Sequence, residues 1–183
     1  PPLSRHIALT GGSGLIGQRL RAALALNGDR VVPFVRDRAR VPAGARFWNP
    51  AAGELAAADL EGIDAVVHLA GEPIASGRWT AARRRRILES RTRSTRLLSE
   101  VLSRLEHPPS VLISASAIGY YGDRGETWLD ETSDPGKGFL ADVCVEWERA
   151  VEPARAAGIR VALVRIGLAL SPDGGALGRM LPL

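Results

Sequence analysis

The 183-residue chain contains one cysteine, one lysine and three histidines, and each scarcity closes a class of function. A single cysteine, Cys144, forms no internal disulfide and no cysteine-based zinc site, and reads as a small buried hydrophobe on a helix. His6, His68 and His107 show no paired spacing, so no metal centre is expected. No apolar run approaches the ~20 residues that cross a bilayer, and the N-terminal residues lack a signal peptide's apolar core. The expectation is a cytoplasmic protein with no membrane partner. Aromatic residues are only 5% of the chain, and the arginines behind the net charge of +4 gather in one helical stretch instead of alternating with aromatics. No nucleic-acid partner is predicted on that footing. What remains, 45% hydrophobic and 24% charged residues, fits a soluble globular chain long enough for one domain, residues 1–183.

The richest local signal is Thr10-Gly11-Gly12-Ser13-Gly14-Leu15-Ile16-Gly17. A short apolar run, His6 to Leu9, precedes it, and Leu15, Ile16, Leu20, Ala23, Leu24 and Leu26 follow at helical spacing. Strand, glycine turn and helix in that order is the context of a dinucleotide phosphate-binding fingerprint, here with the variant spacing G-x-x-G-x-x-G. Gly11 permits the tight turn, Gly14 lets backbone approach a pyrophosphate, and Gly17 lets the helix pack on the strand. The first-turn N–H groups, at Leu15 and Ile16, and the positive end of the helix dipole then face the anion.

A second strand, Arg30 to Val35, ends at Arg36, with Asp37, Arg38 and Arg40 beyond. An acid at that point would bond ribose hydroxyls and favour NAD(H), whereas Arg36 accommodates a 2′-phosphate, so NADP(H) is predicted. Arg46 to Trp48 reads as a third strand and Leu55 to Leu60 as a weak helix. Asp64 to Gly71 is a buried strand whose carboxyl end, Leu69-Ala70-Gly71, falls beside the cofactor. His68, inside that apolar strand, reads as a hydrogen-bonded core histidine. Thr80 suits the N-cap of a long helix, Ala81 to Leu105, with Glu89–Arg93 and Glu100–Arg104 as four-apart pairs. Arg78, Trp79 and Arg91 lie toward the expected crevice. A further strand from Val111 carries Ser114, Ser116, Tyr120 and Tyr121 to its carboxyl end, where hydroxyl groups can do proton chemistry. Phe139 to Gly158 reads as one helix and Arg160 to Arg165 as the last strand.

Five stretches together resemble an atypical, nucleotide-sugar-epimerase-like group within the extended short-chain dehydrogenase/reductase superfamily. They are 11–17, 68–74 (H-L-A-G-E-P-I), Arg78-Trp79-Thr80 with Ser90-Arg91, 114–122 (S-A-S-A-I-G-Y-Y-G), and 165–177. The resemblance implies an α/β fold, a Rossmann-like doubly wound parallel sheet flanked by helices. It also implies a C-terminal substrate lobe of roughly a hundred residues, before which this chain stops. Ser114 and Arg165 join Gly11, Gly14, Leu15, Ile16, Gly17, Arg36, Leu69, Ala70 and Gly71 as expected cofactor contacts. The superfamily's usual Ser, Tyr and Lys fall on Ser116, Phe139 and Val143, so the proton-transferring pair is absent, and the lone lysine, Lys137, cannot restore it. One expectation is therefore an NADP-dependent oxidoreductase or epimerase acting on a small molecule, with a nucleotide sugar among the candidates. In it Ser116 polarises a carbonyl and Tyr120 or Tyr121 supplies the proton. The alternative is an NADP-binding redox sensor or scaffold without turnover. The Arg-rich helix packing on a twin would make a homodimer.

Overall fold

Alternate residues of β1 (His6–Thr10) are buried on opposite faces of a sheet, and this dictates two helical layers. In chain order the elements are β1, α1 (Leu15–Leu26), β2 (Arg30–Val35), β3 (Arg46–Asn49), β4 (Glu54–Leu55), β5 (Ala65–His68), α2 (Ala81–Leu102), β6 (Val111–Ala117), α3 (Phe139–Arg149), α4 (Glu152–Ala156), β7 (Arg160–Ile166) and β8 (Leu170–Ser171). The structure is a computed structural model and describes residues 4–75, 77–172 and 174. Residues 173 and 175–177 of the fifth resembling stretch lie outside the described residues.

Seven strands form one sheet in the order β4-β3-β2-β1-β5-β6-β7. Every neighbouring pair is parallel except β3 with β4. The chain runs outward from β1 in one direction, returns, and runs outward in the other. That reversal opens a crevice at the carboxyl ends of β1 and β5. Ile7, Leu9 and Val67 face one side and pack against Leu20 and Leu24 of α1. Ala8, Val32, Phe34, Val66 and Leu112 face the other and pack against Leu98 and Leu102 of α2 and Val151 and Ala154 at α4. The doubly wound α/β architecture expected from the sequence is the one observed. No helix among the described residues is long and apolar enough to cross a membrane.

Three local expectations change. Glu54 and Leu55 pair antiparallel with Asn49 and Trp48, so the segment read as a helix from 55 is a hairpin arm followed by a single turn, Ala57–Asp59. The helix expected from 139 to 158 is two: α3 ends with Ala150 as its C-cap, and Pro153 opens α4, where a missing N–H is tolerated. α2 starts at the expected cap, with Thr80 Oγ1 accepting from Arg83 N at 3.3 Å, but closes at Leu102. Arg93 reaches Glu89 at 3.2 Å. Arg104 lies past the helix end and makes no ion pair with Glu100 among the described residues.

Candidate functional site

The glycine turn is built by direct backbone contact. Gly11 sits at φ +71°, and a Cβ there would lie 2.6 Å from the Leu69 carbonyl carbon and 2.8 Å from Ala70 N. A Cβ on Gly17 would lie 2.4 Å from the Gly11 carbonyl oxygen, so α1 rests on the turn itself. At Gly14 a Cβ would meet only the Gly11 oxygen, at 3.4 Å, which leaves its outward side open. Gly14 is also the N-cap of α1, where no side chain caps the helix and no acid stands in the first turn. A cradle bounded by backbone, at an uncapped helix start, fits the diphosphate of a dinucleotide. Leu69 and Ala70 form its far wall: Leu69 N donates to Thr10 O at 3.2 Å, and Ala70 N to Thr10 Oγ1 at 3.3 Å.

Arg36 follows β2 directly and lines a pocket of about 230 Å³ with Trp48, Asn49, Ala70, Gly71 and Ser90. Its neighbours in sequence are occupied. Asp37 turns back to accept from Ala39 N at 3.0 Å, and Arg38 pairs with Glu54 at 2.5 Å and lies 4.2 Å from the centre of the Phe47 ring. Arg36 makes no hydrogen bond or ion pair with any described residue. It is the free cation at that rim next to Arg86 and Arg93, which bond Glu72 and Glu89 at 3.5 and 3.2 Å.

His68 lies beneath the crevice floor, fully buried. Its Nδ1 is 2.7 Å from Thr10 Oγ1 and its Nε2 is 2.9 Å from Thr95 Oγ1, which accepts from Trp147 Nε1 at 2.9 Å. The Trp48 ring meets the imidazole edge-on at 5.9 Å. Burial lowers its pKa to about 4, so the ring is neutral. It is the satisfied core histidine expected from its strand.

The carboxyl end of β6 is organised by a residue the sequence reading missed, Glu148. Ser116 Oγ donates to Glu148 Oε1 at 2.5 Å. Arg165 Nε and Nη2 donate to Glu148 Oε1 and Oε2, both at 2.9 Å, a bidentate pair with side chains only 16% and 10% exposed. Arg165 Nη1 donates to the Tyr121 hydroxyl at 2.9 Å, and the guanidinium carbon stands 3.5 Å from the centre of the Tyr120 ring. The bonds to Glu148 hold the guanidinium pKa above its ordinary value. Four of the five N–H groups of Arg165, a residue expected to contact cofactor, are engaged by Glu148, the Tyr121 hydroxyl and the Glu131 carbonyl. Ser114 is completely buried on the same face of β6 as Leu112, and its hydroxyl donates to the Ala115 carbonyl at 3.4 Å. Ser116 Oγ thus directs its proton to Glu148. The Tyr121 oxygen accepts from Arg165, which leaves its hydroxyl proton for another acceptor. The Tyr120 hydroxyl bonds no described residue. Glu148 could have been flagged as an acid one residue after the buried Trp147.

Phe139 is roofed by Trp79, whose ring meets it edge-on at 5.7 Å while Trp79 Nε1 donates to Ile74 O at 3.1 Å. Val143 is buried, and the Cys144 thiol beside it is buried with its pKa pushed up by desolvation, as a structural cysteine should be.

The sequence profile of the NAD dependent epimerase/dehydratase family matches residues 7–182. An epimerase family protein of Mycobacterium bovis is 44% identical over 179 residues, 97% of this chain and 58% of the relative. The chain thus spans little more than half the length of that relative. The solved nucleoside-diphosphate sugar epimerase from Corynebacterium glutamicum superposes with a TM-score of 0.86 at 40% identity, over 98% of this chain and 37% of that one. Human epimerase family protein SDR39U1, solved with NADPH, superposes with a TM-score of 0.83 at 29% identity, over 97% of this chain and 58% of that one. The glycine cradle, the doubly wound sheet and these likenesses agree, and the chain belongs to the NAD-dependent epimerase/dehydratase family.

Proposed function

We propose that this chain is the nucleotide-binding part of an NADP-dependent oxidoreductase or epimerase acting on a hydroxyl or carbonyl carbon of a nucleoside-diphosphate sugar. The observation that carries the reading is the backbone cradle at Gly11, Gly14 and Gly17 with an unpartnered Arg36 at the end of β2. Gly14 and the amides of Leu15 and Ile16 hold the diphosphate, Leu69, Ala70 and Gly71 line the opposite wall, and Arg36 takes the 2′-phosphate. The nicotinamide, when bound, supplies or accepts a hydride. The chain's own residues handle the proton. Tyr121, its oxygen held by Arg165, donates its hydroxyl proton to the substrate oxygen. Glu148 draws the proton of Ser116, so that Ser116 Oγ presents a lone pair to a substrate hydroxyl and relays its proton to the carboxylate. NADPH binding in a human relative and the nucleotide-sugar activity named for a bacterial one support the assignment.

Wild-type protein is expected to bind NADPH at least about tenfold more tightly than NADH, and Arg36→Ala to lose that difference while keeping its NADH affinity, as for one charge-assisted contact. Equal affinities in the wild type refute the Arg36 assignment. A second reading, cofactor binding without turnover, draws on Phe139 and Val143 at the usual proton-transfer positions and on the closed bonding of Ser116. Tight NADPH binding with no turnover across a nucleotide-sugar and carbonyl panel would favour it, whereas turnover lost in Tyr121→Phe with NADPH affinity intact would exclude it.

A further inference from the structure

One partly buried cation has no counter-ion among the described residues. Arg91 lies on α2 with its side chain against Gly71, where a Cβ would meet its Cζ at 3.3 Å and its Nη2 at 3.5 Å. Its Cζ also stands over the Trp147 ring of α3, 5.1 Å from the ring centre. Nη1 donates to the Ile87 carbonyl at 3.1 Å and approaches Ser90 Oγ at 3.4 Å, while Nε and Nη2 bond no described residue. Two groups bear on its charge, and neither neutralises it. Glu72 is already bonded to Arg83 at 3.2 Å and Arg86 at 3.5 Å, and the Cys144 thiol is kept protonated by burial. Desolvation accordingly lowers the guanidinium pKa. A charge held this way calls for an anion or an array of oxygen acceptors.

Its position tells which. Gly11 touches Leu69 and Ala70, Gly71 is the next residue, and Arg91 touches Gly71, so the guanidinium adjoins the wall of the diphosphate cradle. Contact with Trp147 sets it against α3, on the β6 side of the crevice, away from Arg36 at the end of β2. We infer that Arg91 is a ligand-binding residue of the crevice, holding from α2 the ribose and phosphate oxygens on the nicotinamide side of the dinucleotide. This rests on reading the crevice as a dinucleotide site.

The test is calorimetric titration of the whole chain with two ligands, NADPH and adenosine 2′,5′-bisphosphate, which has only the adenosine end. Arg91→Gln is expected to weaken NADPH at least about tenfold and leave the bisphosphate unchanged, with Arg91→Lys recovering part of the loss. Unchanged NADPH affinity in Arg91→Gln, or equal loss for both ligands, overturns the assignment. Should Arg91→Gln fail to fold, Arg91→Lys decides: weakened NADPH with an unchanged bisphosphate supports it, and parallel loss overturns it. If the wild type binds neither ligand, it is the dinucleotide reading that falls.

Discussion

Two polar clusters lie near the crevice, and they are built on opposite principles. The one around His68 is sealed and uncharged: Thr10, His68, Thr95 and Trp147 form a continuous chain of hydrogen bonds through β1, β5, α2 and α3. The one around Glu148 is charged and reaches the surface of the crevice, tying Ser116, Arg165 and Tyr121 to one carboxylate. Neutral hydroxyl and imidazole groups can be buried completely when every partner is present, and they then fix how elements dock. A buried ion pair adds little net stability, but removing one member leaves an uncompensated charge. The first cluster therefore reads as architecture, whereas the second keeps a carboxylate and two hydroxyls close to where a substrate would sit.

The sharpest way to break the contrast is to remove one charge. Arg165→Met strands Glu148 and is expected to cost about 3–5 kcal/mol in urea unfolding, much of it restored when Glu148→Leu is added. Equal destabilisation in the single and double variants would mean that packing of the arginine stem, and not the stranded carboxylate, dominates. The His68 cluster answers to pH instead. Its ring is neutral in the fold down to about pH 4, while the unfolded chain protonates near 6.5. Stability is complete above about pH 6.5 and declines as pH falls toward 4, by up to about 3 kcal/mol. His68→Gln should flatten that window. The decline below it belongs in part to Asp29, whose carboxyl is held below the ordinary range by bonds from Arg5 and then Asn27, and that arm should persist. The smallest effects separate fold from ligand in the glycine turn. Gly17→Ala drives a Cβ into the Gly11 carbonyl and should cost about 2 kcal/mol along with NADPH binding. Gly14→Ala, which meets only the Gly11 oxygen, should change stability by under about 0.5 kcal/mol and still weaken NADPH.

What the sequence made legible was local or periodic. The glycine turn, the Thr80 cap, the apolar strand around His68 and the switch from strand to helix each depend on residues within one or two turns of each other. The Glu148 cluster joins residues 32 and 17 positions apart, and only the seating of α3 over β6 and β7 brings them together. No spacing rule encodes that seating. The hairpin at Glu54 was misread because two pairing residues are too few to show alternation, although Asn49-Pro50 and Gly53 mark the turn that makes it. Pro153 similarly marked the α3–α4 break. The partner of Arg165 stayed hidden for the same reason: an arginine at a strand end advertises charge, but only the fold decides which group it pairs with.

In the opening turn, Gly11 leans on Leu69 and Gly17 leans on Gly11 with no side chain between them. The floor and both walls of the cradle are main chain, and main chain packed this closely has no rotamers to freeze. Capture of a diphosphate at this point, as proposed, would therefore forfeit little conformational entropy, with the amides aimed before the ligand arrives. Under the proposed dinucleotide reading, the ordering that loading demands would fall on the long side chains at the rim, and the grip would rest on a rigid bend.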